Sequence, residues 1–165
     1  RRLDILRHGN ASWDTDRLDE IDRPRANRGL RHAEEMALRL KKAGLVPQLV
    51  YTSPANRAKT TALIMCRHWG LGPSEMQFHD LLYMAYASEI QDVISLAPDG
   101  VSDLAIFGHN PSFTLFVNQF LDEPLDNLPT AGVAVLTFDS ETWSELSREK
   151  VKQAVVDIPK KKSQL

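Results

Sequence analysis

The sequence predicts an α/β fold, one domain over residues 1–165, built as a three-layer sandwich with a mainly parallel central sheet flanked by helices. Three observations point there. Short apolar runs alternate with segments of helical periodicity, the order expected of strands joined by crossover helices. The chain has 165 residues, close to the roughly 150 expected of one domain. Hydrophobic residues make up 42% and charged residues 25%, the balance of a folded domain with one sizeable core.

The elements follow in order. Residues 3–6 are an apolar run, read as the first strand. Residues 8–29 are polar and irregular, a long connection of the kind that is often functional. Residues 30–43 are helical, with Leu30, Ala33, Ala37 and Leu40 on one stripe and Gly44 as the stop. Residues 48–52 make a second strand. Ser53 and Pro54 then read as N-cap and first residue of a helix. That helix runs to about Trp69, turns Ala55, Ala58, Ala62, Met65 and Trp69 to the core, and ends at Gly70 and Gly72. Ser88 and Gln91 form a capping-box signature ahead of Ile90, Val93, Ile94 and Ala97. Pro98-Asp99-Gly100 is a turn, and residues 104–107 are a buried strand. Asn110-Pro111 opens a helix with Phe113, Phe116, Val117 and Phe120 on one face. Residues 133–138 are a further strand. Residues 141–158 fit strand or helix equally, and Lys160-Lys161-Lys162 is a solvated basic tail.

Composition excludes several classes. Lys+Arg is 20 and Asp+Glu is 22, a formal net charge of −2, without the basic excess of a nucleic-acid binder. A single cysteine, Cys66, cannot form an internal disulfide, which suits a reducing compartment, so the cytoplasm is expected. No apolar stretch approaches the roughly 20 residues that span a bilayer, and no signal-peptide core is seen. Neither a nucleic acid nor a membrane is expected as partner, and a monomer is expected. The arginines are unevenly placed: nine of the 12 lie in residues 1–40. Guanidinium forks suit phosphate or carboxylate, so the bias points to an anion site.

In a parallel sheet the ligand sits beyond the carboxyl ends of the strands. There the sequence places Arg7-His8-Gly9, then Ser53 with Arg57 one helical turn on, then Gly108-His109-Asn110. Two histidines and two arginines therefore converge. Metal sites favour His with carboxylate or Cys, not surrounding guanidinium, so neither metal nor cofactor is expected. A phosphoryl site fits: arginines hold the oxygens and one histidine serves as nucleophile.

These residues carry a resemblance. Leu6-Arg7-His8-Gly9, the Ser53–Thr61 block with its Ser-x-x-x-Arg-Ala-x-x-Thr core, and Gly108-His109-Asn110-Pro111 resemble, in order, the motifs of the histidine phosphatase superfamily, with its phosphoglycerate-mutase-like fold. Ser12-Trp13, Asp22-Arg23-Pro24, Arg28-Gly29, Leu82-Tyr83 and Pro129-Thr130-Ala131-Gly132 resemble its SixA-type phosphohistidine phosphatase branch. The resemblance spans about residues 3–138. It implies that His8 is the nucleophile and becomes phosphohistidine, that Arg7 and Arg57 bind the phosphoryl oxygens, and that His109 is the second pocket histidine. It adds Arg23 and Asn10 as further phosphate contacts. Arg25, Arg28 and Arg31 read as surface or loop-bracing. His32, His68 and His79 match no motif, and Cys66 reads as buried.

Relatives that cleave phosphate esters use a Glu or Asp as acid around residues 80–90. Here that stretch runs from Asp80 through Tyr83 to Glu89 without a clear match, and Glu89 reads as a first-turn helix residue. An imidazole leaving group needs less help than an alkoxide. The resemblance and the weak acid position together imply a metal-independent phosphatase acting on phosphohistidine in a protein, such as a histidine phosphotransfer domain. The alternatives are a small-molecule phosphomonoesterase and a non-catalytic phosphoprotein-binding module. A cysteine phosphatase is excluded, because Gly72 stands where Cys-x5-Arg needs arginine. Asp14-Thr15-Asp16 imitates an aspartyl-phosphate motif but follows no apolar strand.

Overall fold

Six strands form one sheet: β1 (Arg2–Arg7), β2 (Leu49–Thr52), β3 (Met76–Phe78), β4 (Asp103–Gly108), β5 (Val133–Phe138) and β6 (Val151–Asp157), in the order β3-β2-β4-β1-β5-β6. The structure, a computed structural model, describes residues 1–9, 23–84 and 86–165, with residues 23–28 by backbone alone. β1 pairs parallel with β4, and β2 pairs parallel with both β4 and β3. β5 runs antiparallel to β1 and β6 antiparallel to β5, so β5 alone is reversed. The sheet is mainly parallel, as the sequence predicts.

The inner strands are apolar throughout because both faces are covered. Alternate residues serve opposite layers. Leu3, Ile5, Tyr51, Leu104 and Ile106 pack against helices α3 (Ala87–Ile94) and α4 (Ser112–Asn118). Leu6, Val50, Ala105 and Phe107 pack against α1 (Arg23–Lys42) and α2 (Asn56–Trp69). The predicted faces of α2 and α4 are buried, including Ala58, Ala62, Met65 and Phe113, Phe116, Val117. Gly70 ends α2 in the left-handed region at φ 74°, where a side chain would cost about 1 kcal/mol. Inside β1, Asp4 is fully buried, 3.3 Å from Arg2 Nε. Burial pushes its carboxyl up against the pull of that guanidinium.

Several boundaries differ from the sequence reading. α1 begins at Arg23, not near residue 30. Pro24 and Gly29 look like loop markers, but proline is tolerated in a first turn, where its missing N–H would have no helical partner. α2 begins at Asn56, with Ala55 ahead of it, so Ser53 and Pro54 precede the helix. α3 is capped by Glu89, whose carboxylate accepts the Tyr86 N–H at 3.0 Å, rather than by Ser88 with Gln91. The short edge strand β3 has too few residues to show a period. The ambiguous residues 141–158 resolve into a loop, a single 3-10 turn and β6. β6 keeps Asp157 buried, where Arg39 of α1 donates to it at 3.1 Å.

Candidate active site

The carboxyl ends of β1, β2 and β4 lie side by side because their parallel registers align Arg7 with Gly108 and Thr52 with Phe107. That alignment brings His8, Arg7, Arg57 and His109 together. His8 and His109 are both buried, with ring centroids 5.2 Å apart.

His8 is held from two sides. Its N–H donates to the Gly108 carbonyl at 3.1 Å, and its carbonyl accepts the Ala131 N–H at 3.1 Å. Its Nδ1 lies 2.6 Å from the Gly9 carbonyl. A carbonyl only accepts, so Nδ1 carries the proton and Nε2 keeps the lone pair. Thr61 of α2 fixes the turn by accepting the Gly9 N–H at 2.9 Å. The imidazole is pushed below its usual value, first by burial and then by Arg7 and Arg57, while the Gly9 bond opposes the shift. Burial is a larger cause than either cation.

Arg7 donates to the Leu128 carbonyl at 2.9 Å, and its N–H reaches the Gly132 carbonyl. The Pro129–Gly132 stretch thus braces the end of β1. Burial, with Arg57 as a like charge, lowers the Arg7 guanidinium. Two cations held near each other leave positive potential that an anion would neutralise.

His109 accounts for the residue that sequence reasoning misplaced. Its Nε2 is 2.8 Å from Ser53 Oγ. Ser53 Oγ accepts the Ala55 N–H at 3.2 Å, so its own proton is available to donate to His109 Nε2. With Ser53 donating to Nε2, Nδ1 carries the ring proton and is the nitrogen left for a ligand. Burial first, then His8, Arg57 and Arg7, push His109 down to about 4, so it is neutral at physiological pH. Ser53 is therefore a tautomer-setting partner, not a helix cap. The sequence places it at the end of the second strand and in the motif block without giving it this role. Ser53→Ala is expected to lower kcat about 10-fold without changing the thermal midpoint by more than a few degrees. Steady-state rates together with a melting curve check this.

Gly108 lets the chain pass here, since a Cβ would meet the Phe113 ring at 2.4 Å. Asn110 ties the His109 turn down: its Oδ1 accepts from Thr114, and its Nδ2 donates to Asn127 Oδ1 and to the Leu128 carbonyl. Beside Arg57 and His109 opens a cavity lined by Tyr83, Met84, Tyr86, Ala87, Asn110, Pro111, Ser112 and Leu115. The Tyr83 ring meets His109 edge-on, with centroids 5.4 Å apart.

The remaining sequence candidates separate clearly. Asn10, Ser12-Trp13, Asp14, Asp16 and Asp22, and the side chains of Arg23, Arg25 and Arg28, lie outside the described residues. Arg31 is exposed, and His68 sits 3.9 Å from Glu34. His79 packs on Tyr51 with centroids 4.3 Å apart. Cys66 is buried, its thiol pushed up to about 11. Asp80 is exposed and outside the cavity lining, and Glu89 is occupied as a cap. Among the described residues no group of His, Cys, Asp and Glu could hold a metal ion, and no helix is long and apolar enough to cross a membrane.

Known proteins are similar to this chain. The family model of the histidine phosphatase superfamily (branch 1) matches residues 3–83. An uncharacterised chloroplastic protein of Arabidopsis thaliana is 29% identical over 154 residues, covering 88% of this chain and 70% of that protein. The structure of a candidate phosphohistidine phosphatase SixA from Agrobacterium tumefaciens is 26% identical, covering 82% of this chain and 90% of that one, with a TM-score of 0.66. Another from Nakamurella multipartitia shares the fold at 19% identity and TM-score 0.77, over 98% of this chain and 97% of that one. A mycobacterial glucosyl-3-phosphoglycerate phosphatase also shares the fold, at 16% identity and TM-score 0.59, over 96% of this chain and 97% of that one.

Proposed function

On the premise that this chain belongs to the histidine phosphatase superfamily and is a phosphatase, we propose that it dephosphorylates phosphohistidine carried by a protein, through a covalent intermediate on His8. In this reading His8 Nε2 attacks phosphorus in line while the phosphoryl oxygens rest on Arg7, Arg57 and the His109 Nδ1–H. The lowered His8 value supports it, since the attacking nitrogen must be unprotonated. The new P–N bond to His8 forms as the P–N bond to the substrate ring breaks, and the leaving nitrogen keeps the electron pair. The departing ring takes its proton at its other nitrogen from water. Water then attacks phosphorus, the electron pair returns to His8 Nε2, and phosphate leaves with the proton.

The observation that carries the choice of substrate is the cavity lining, which among the described residues contains no Asp or Glu. An alkyl ester needs a proton delivered to the bridging oxygen as the bond breaks, because an alkoxide is a poor leaving group. An imidazole is protonated at the nitrogen remote from phosphorus, so no acid is required at the bridging atom. The lone, buried Cys66 supports a reducing compartment such as the cytoplasm.

The test compares a phosphohistidine protein with alkyl phosphate monoesters, each with and without EDTA. Faster turnover of the phosphohistidine protein, insensitive to chelation, is expected. Alkyl esters turning over far faster would overturn the substrate assignment in favour of a small-molecule phosphomonoesterase. Retained phosphate binding without turnover of either would point to a binding module.

A further inference from the structure

Among the described residues, four of the nine exposed large apolar side chains gather at one place. Tyr83, Met84, Tyr86 and Leu115 are 46%, 81%, 77% and 59% exposed, and all four line the cavity that opens beside Arg57 and His109. Exposed apolar side chains gathered around one concavity mark a surface that a ligand covers. Met84 holds a positive φ of 53°, which a non-glycine residue adopts only at some cost.

Any occupant of this cavity is constrained by its floor. Arg57 and His109 belong to both the cavity and the phosphate site, so what fills it is attached to the bound phosphoryl group. In-line attack by His8 sends the leaving group to the side of phosphorus away from His8. Among the described residues the cavity offers that group aromatic and aliphatic walls without a carboxylate. Tyr83 is the wall residue in ring contact with His109.

We propose that Tyr83 determines leaving-group specificity: its ring, with Met84, Tyr86 and Leu115 beside it, seats a planar aromatic leaving group against the bound phosphoryl, and an imidazole fits this seat. The inference rests on the phosphohistidine reading above and names the residue that selects for it. The ring contributes by packing against another ring, so phenylalanine at this position preserves the seat and leucine removes it.

Two measurements separate this seat from the catalytic reading. The first is binding, by calorimetry, of phenylphosphonate and methylphosphonate, which carry the same anionic head and cannot be hydrolysed. The unaltered protein is expected to bind phenylphosphonate about 3- to 10-fold more tightly, with Tyr83→Phe retaining the preference and Tyr83→Leu erasing it while methylphosphonate binding stays unchanged. The second is kcat/KM on phosphoimidazole and on phosphoramidate, both of which break a P–N bond. Tyr83→Leu is expected to lower the first by a similar factor and the second by less than about 2-fold. No preference for the phenyl ligand, or equal losses on both substrates in Tyr83→Leu, would overturn the seat. A phenyl preference that depends on Tyr83, without turnover of phosphoimidazole, would uphold the seat and overturn the phosphohistidine reading.

Discussion

His8→Asn is expected to abolish the covalent phosphoenzyme and to lower kcat by about 10⁴-fold or more, the scale of losing a covalent nucleophile. Asparagine approximates the volume of the ring and can still donate to the Gly9 carbonyl, so the turn held by Thr61 should survive. Radiolabelled phosphodonor, quenched at alkaline pH and then acidified, checks the intermediate. The unaltered protein should show acid-labile label and the variant none. Equal labelling or equal activity would remove His8 from the reaction. The same histidine sets the acid limb of the pH profile. Its folded value is lowered below 6.5, and the reactive form is the neutral one. Falling pH therefore leaves kcat/KM intact through 6.5 and reduces it only on passing the lowered value. A limb centred above 6.5 would contradict burial as the controlling cause.

Arg57→Ala is expected to lower kcat/KM by about 10²- to 10³-fold, the range seen when a charge-stabilising contact to the transition state is removed. Arg57→Lys should recover only part of this, because an ammonium keeps the charge and loses the planar fork. The stability readout runs the other way. Arg57 is a like charge beside Arg7 and depresses its guanidinium, so its removal relieves repulsion. The melting temperature of Arg57→Ala without ligand should stay within a few degrees of the unaltered protein. Inorganic phosphate at about 100 times its dissociation constant should stabilise the unaltered protein by about 2.7 kcal/mol, and the variant much less. A variant that keeps the phosphate-induced shift would place the anion elsewhere.

The arginines of the first 40 residues, among the described side chains, divide between the site and structural ion pairs. Among the described side chains, Arg7 reaches the site, whereas Arg2 pairs with Asp4 and Asp103 and Arg39 holds the buried Asp157. Arg57, from outside that cluster, supplies the second cation. Composition registers a residue type without its place, so structural ion pairs and site arginines look alike in a count.

What the sequence determined by itself is what local pattern encodes. Apolar runs named four strands, helical stripes named the buried faces, and the three motifs fell at strand ends in the right order. Helix starts were less legible, because Pro24 and Ser53 permit more than one local reading. Only the tertiary structure decided the proton positions and the lining of the cavity. Ser53 and His109 are 56 residues apart in sequence, and their contact exists because β2 and β4 pair in parallel register. The His8 tautomer depends on a turn locked by Thr61 from another helix. Tyr83 and Leu115 share a cavity although one precedes α3 and the other lies on α4. Periodicity reports which face a residue takes. It is silent on which residue of another element it meets there, and at this site those meetings set the chemistry.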